Sequence, residues 1–201
     1  MDGLSDHGTF FTGNKVHLKS FCMISLIDLI QKNLGYQELH KIDPNTQDIK
    51  LDEGKFGIQS VTQAAIPAVI CGLYNLLKTA EGAELLLDTE STNWLDSIFG
   101  KKKDELIKRI AAYSNTSIAA AQLETEHIAN EAVRLLKENI TDKANQQAIG
   151  QFAAEQRTQA LLYLPASLQL GDLLNDNQLD DRTHKMEGPI SSLMHAVEKQ
   201  F

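Results

Sequence analysis

Sheet-forming residues are scarce in this chain. Aromatics make up 6% of the sequence and Val and Thr are scattered, while Ala, Leu, Gln, Glu and Lys dominate the long segments, a balance that favours helix over strand and predicts an all-α protein. Cysteine is nearly absent too: Cys22 and Cys71 are the only two, and neither sits in a paired metal or redox spacing, so a reducing compartment is expected. Cations are outnumbered, 19 Lys and Arg against 27 Asp and Glu, for a net charge of -8. Such a chain repels a phosphate backbone, and nucleic acid is not an expected partner. The stretch SFCMISLIDLI (20–30) carries Asp28, lacks a small-residue cleavage site and is too short for a bilayer, so neither signal peptide nor membrane span is read and the cytoplasm is the expected location. There is no G-x-S-x-G, and Gly54 and Gly57 have neither the spacing nor the preceding strand of a phosphate loop.

What is present is apolar periodicity. With 42% hydrophobic residues in 201, the chain can bury a core as a single compact multi-helix domain. Residues 1–22 show no sustained period and are read as an N-terminal extension, with Met23 as the natural start. MISLIDLIQKNLG then sets Ile24, Ile27, Ile30 and Leu34 on one face, with Leu26 close by and Gly35 as a C-terminal stop. HKIDPNTQDIKLDEGKFG (40–57) is polar and reads as a connecting loop.

The next stretch, SVTQAAIPAVICGLYNLLK (60–78), is the most helix-like and has Pro67 in its middle. Val61, Ala65, Ile66, Val69, Ile70, Gly72, Leu73, Leu76 and Leu77 occupy about half the helical wheel, and Ala64, Ala68 and Cys71 widen the arc with small side chains that allow close approach by a neighbour. This predicts the central helix. Pro67 falls on the polar sector with Gln63, Tyr74 and Lys78, where water would satisfy the Gln63 carbonyl that proline leaves without its helical partner. An interior proline costs about 3 kcal/mol, against a gross gain of roughly 10–20 kcal/mol from burying the seven Val, Leu and Ile side chains. The rival reading, a break at Ile66 with Pro67 opening a second helix, is equally open to the sequence.

Further helices are expected over AEGAELLLD (80–88), TNWLDSIFG (92–100) closed by Gly100, KKKDELIKRIAAYS (101–114), a long one over 116–140, and one over 142–164 capped by Thr141-Asp142. Pro165 ends or bends the last of these, and PASLQLGDLL adds a short apolar turn. Residues 175–201 read as a polar tether followed by a small amphipathic helix bearing Leu193, Met194 and Val197.

Three of these pieces, Ala65-Ile66-Pro67 with Leu73, Ile98-Phe99-Gly100, and Leu164-Pro165 with Leu168 and Leu173-Leu174, resemble the YidB-like bacterial family of domains of unknown function. The resemblance covers residues 23–174. It implies a helical fold and no particular reaction.

No residue is singled out as catalytic, cofactor-binding or metal-ligating. His127 lies on a polar helix face near Glu124 and Glu131, with no second His or Cys one turn away to complete a ligand set; His184 and His195 sit on or beyond the tether. Cys71 reads as a buried thiol rather than a nucleophile, and Trp94 as a core anchor. Asp52-Glu53 and Asp180-Asp181 read as solvated surface pairs, and Lys101-Lys102-Lys103 as a wet loop-to-helix junction, since Asp104 and Glu105 follow at once. These features point to a noncatalytic helical module acting through a protein partner or self-association. The alternatives are carriage of a small apolar ligand in a cleft between helices and an enzyme assembled from distant carboxylates.

Overall fold

A computed structural model describes residues 25–43, 57–88, 93–140 and 146–176. The readings for residues 1–22, for Cys22, Ile24, Asp52-Glu53, Gly54 and the Thr141-Asp142 cap, and for the segment from 177 onward with its two histidines lie outside them. Among the described residues every regular element is helical: α1 Leu26–Leu34, α2 Ile58–Leu77, α3 Ala80–Asp88, α4 Trp94–Phe99, α5 Lys103–Ser114, α6 Ile118–Asn139, α7 Gln146–Ala160 and α8 Leu170–Leu174. The all-α expectation holds.

Local chemistry sets the boundaries. The Ser25 hydroxyl accepts from the Asp28 N–H and opens α1, and Gly35 closes it in the left-handed region at φ 71°, a conformation that costs a side-chain-bearing residue more. Asn93 and Ser117 cap α4 and α6 in the same way as Ser25. α7 ends at Ala160, short of the expected Leu164, because three turn residues precede the buried Pro165, which cannot donate to a continuing ladder.

α2 is one unbroken helix running through Pro67, so the two-helix reading fails. Its buried run is continuous from Ser60 to Leu73. α5, α6 and α7 pack along it, and α1, α3, α4 and α8 complete the jacket. The helix is long and apolar enough to cross a membrane, but 83% of its most apolar window is covered by the fold itself, as expected for the core helix of a globular domain.

That jacket corrects one expectation. Pro67 is not on a wet face: it is buried, and so is Gln63 at 2% exposure. The Gln63 amide oxygen accepts from the His40 N–H at 2.8 Å, while its nitrogen donates to the carbonyls of His40 at 3.1 Å and Tyr163 at 2.9 Å. A glutamine with its hydrogen bonds satisfied is as buriable as an apolar residue, and here it fastens two loop backbones over the sector that looked solvent-facing. A hydropathy wheel cannot tell a hydrated amide from one bonded to protein.

The motifs behind the family resemblance have packing roles. Ile98 and Phe99 sit on Gly72 so closely that a Cβ there would stand 2.5 Å from Phe99 Cζ and 2.7 Å from Ile98 Cγ2. Leu164, Leu168, Leu173 and Leu174 are all buried. Arg109 on α5 holds their segment down: its Nη1 donates to the carbonyls of Leu168 (3.1 Å) and Gln169 (2.8 Å), and its Nη2 to Asp172 at 3.2 Å. Gln156 of α7 accepts from the Leu26 N–H at 2.8 Å, tying the start of α1 to the far side of the core.

Candidate functional site

α2 emerges from its jacket at its two ends, at Ile58 and again from Tyr74 onward. Tyr74 and Lys78, four residues apart, share the face that leaves the core. On α7, Gln147, Gly150, Ala154 and Arg157 follow one another at intervals of three and four and so form a stripe. Between the two runs a groove of about 440 Å³, lined by Tyr74, Leu77, Lys78, Gln146, Gln147, Gly150 and Ala154.

Charge gathers at one end of this groove. Lys78 Nζ lies 4.7 Å and Arg157 Cζ 5.0 Å from the centre of the Tyr74 ring, so one aromatic ring orients two cations. Asp176, just after α8, answers them: its Oδ2 is 2.8 Å from Lys78 Nζ and 4.0 Å from Arg157 Nη2. Its backbone N–H donates to the Gly171 carbonyl at 2.9 Å, which anchors it. Asp176 is buried, so the folded unit reaches two residues past the expected boundary at 174. Arg157 is deeply set, with 12% of its side chain exposed, and its Nε and Nη2 are buried without a hydrogen-bond partner.

Cys71 lies one turn before Tyr74 and is 1% exposed. Burial, opposed by the Arg157 charge and reinforced by that of Asp176, pushes its thiol up to about 12. Nucleophilicity requires the thiolate, so this is an inert thiol.

A second groove, of about 400 Å³, lies beside α1 and is lined by Asp28, Gln31, Lys32, Tyr36, Glu38, Leu39 and Tyr163. Charges of both signs line it. The Tyr36 hydroxyl donates to Glu124, and burial followed by that bond makes it a weaker acid, its pKa held well above the ordinary phenol value.

The other residues weighed from the sequence lie apart. His127 is exposed on α6. Trp94 is 4% exposed with Lys137 Nζ 5.0 Å above its ring, a core anchor as expected. Lys103 pairs with Asp96 at 2.5 Å. Among the described residues no group of three or more His, Cys, Asp or Glu is placed to hold a metal ion. The cluster of Tyr74, Lys78, Arg157 and Asp176 was not legible as a site. Tyr74 and Lys78 stood out only as polar positions on α2, and Asp176 fell in the presumed tether.

No protein-family model, curated protein or solved structure matches the chain.

Proposed function

We propose that the chain is a noncatalytic helical module that works by association, with a partner protein or with a second copy of itself. One observation carries this reading. The first turn of α6 is exposed from Ser117 to Ala120, and α6 carries two of the five large apolar side chains exposed among the described residues, Ile118 at 54% and Leu123 at 56%, the others being Ile58, Leu87 and Leu162. Exposed apolar side chains near the start of one helix gain free energy when another surface covers them. The YidB-like resemblance supports a helical module and supplies no chemistry of its own. The cytoplasm is the setting this reading takes, since the two cysteines of the sequence show no paired spacing.

The test is sedimentation velocity over a range of concentrations, comparing the native chain with the double variant Ile118→Glu, Leu123→Glu. Association expected for the native chain should disappear in a variant that keeps its helical circular dichroism. A native chain that sediments as a monomer throughout and co-purifies with no stoichiometric partner would refute the reading.

The groove between α2 and α7 favours a second reading, carriage of a small ligand. Its volume of about 440 Å³ lies within the range of small-molecule sites. Native mass spectrometry of protein purified from its own host tests it: recurrent adducts of constant mass are expected, and a clean apo mass counts against it.

A further inference from the structure

We infer that the groove between the C-terminal end of α2 and α7 binds an organic carboxylate, its head met by Lys78 in the field of Arg157 and its apolar body laid along Leu77, Ala154 and the ring of Tyr74. The inference rests on the ligand-carriage reading and goes further, because it names the ligand's chemistry and the group that recognises it.

The first argument is local charge. Among the described residues, Lys78 is the sole charged one lining the groove, in a chain whose net charge is -8. The groove is therefore a cationic spot on an acidic protein, and Arg157, one turn beyond Ala154 on the α7 stripe, adds a second positive charge behind it. Asp176 neutralises one of the two. Among the described residues one positive charge is left, which matches a singly charged carboxylate better than a doubly charged phosphate.

The second argument is hydrogen-bonding capacity. An ammonium group has three donors, and Lys78 Nζ makes a single hydrogen bond, to Asp176 at 2.8 Å, with 38% of the side chain exposed. Donors remain to meet a head group at the groove's mouth. Arg157 is incompletely used as well: its distance of 4.0 Å from Asp176 is an ion pair without a hydrogen bond, and its Nε and Nη2 have no partner. Both nitrogens are closed off from solvent, so in this arrangement Arg157 acts through its charge, and Lys78 makes the contact.

The third argument is shape. On the α7 wall, a Cβ added at Gly150 would have nothing within 4 Å, so glycine leaves that wall low and the space beside it open. Leu77 and Ala154 flank the charged end, giving a carboxylate that carries a hydrocarbon body a surface for each part. Asp176 holds the position an incoming carboxylate would share, and so competes with it.

Isothermal titration calorimetry of the full chain with sodium octanoate, and with 1-octanol as the uncharged probe of equal length, tests the inference. Octanoate is expected to bind at one site and octanol far more weakly. Lys78→Gln, at a partly exposed side chain, should weaken octanoate about tenfold, as loss of one charge-assisted hydrogen bond implies. Asp176→Asn should tighten it by removing the competing charge. Gly150→Leu, which changes no charge and keeps a good helix former on α7, should abolish it by filling the groove. Equal binding of octanol and octanoate, or indifference to Lys78→Gln, would overturn the carboxylate inference and leave apolar carriage standing. Binding of neither probe would remove both.

Discussion

Replacing Gly72 with alanine sets two effects of one methyl group against each other. Gly→Ala inside a helix removes backbone freedom from the unfolded chain and favours folding by about 1 kcal/mol. At Gly72 the new Cβ would lie 2.5 Å from Phe99 Cζ, 2.8 Å from Phe99 Cε1 and 2.7 Å from Ile98 Cγ2, all well inside contact distance. Two of these atoms belong to a ring that is 4% exposed, so relief requires α4 to move as a unit. Overpacking of this kind costs roughly 1–3 kcal/mol, and partial exposure of Ile98 and Phe99 adds to it, each being worth about 1.5–3 kcal/mol when fully buried. The clash outweighs the propensity gain, and Gly72→Ala should destabilise by about 1–4 kcal/mol. Gly150 in α7 supplies the control, since a Cβ there meets nothing within 4 Å, and Gly150→Ala should be neutral or stabilise by up to about 1 kcal/mol. Urea unfolding followed by circular dichroism and by the fluorescence of Trp94 in α4 reads both variants, and a thermal melt should show a shift of about 2–4 °C per kcal/mol. A Gly72→Ala protein as stable as Gly150→Ala would refute the close seating of α4 on α2. Adding Phe99→Leu to Gly72→Ala should return part of the loss, with a coupling energy that only touching residues show.

Gln63→Leu keeps much of the volume but strips partners from the His40 N–H and from the carbonyls of His40 and Tyr163. At about 1–3 kcal/mol for a buried polar group left unpaired, it should cost about 2 kcal/mol or more in urea unfolding; a near-neutral change would mean that the two loops do not depend on this amide. The Cys71 thiol should resist an aromatic disulfide reagent in the native state and react in urea, whereas equal rates would refute its burial. Burial lifts the folded thiol from an ordinary 9.0 to about 12. Its contribution is therefore fully present below pH 9 and lost as pH rises towards 12, at about 1.4 kcal/mol per pH unit. Tyr36, whose phenol is also held above its ordinary value, adds to any alkaline fall, so Cys71→Ala is the comparison that isolates the thiol: it should flatten the alkaline fall in stability, and an unchanged slope would count against the assignment.

The register of the helices was legible because it depends on chemistry local in sequence. Gly35 reads as a stop from the sequence, and Ser25, Asn93 and Ser117, which the sequence reading passed over, start helices by equally local means. The candidate site was not legible, because its residues converge from the end of α2, the stripe of α7 and the residue pair beyond α8. Lys78 and Asp176 are 98 positions apart, and nothing in either neighbourhood marks the other.

The amino-acid order alone determined that the chain is helical, where most of its helices begin and end, and that 60–78 is the segment the rest gathers around, since apolar spacing and capping residues act over a few positions. The tertiary structure alone decided what covers the polar side of that segment. Pro67 and Gln63 are buried because two distant loop backbones, at His40 and Tyr163, bring the hydrogen-bond partners that water would otherwise supply. It also decided that Lys78 and Arg157 share one carboxylate, because the field at a groove is summed over space and not along the chain.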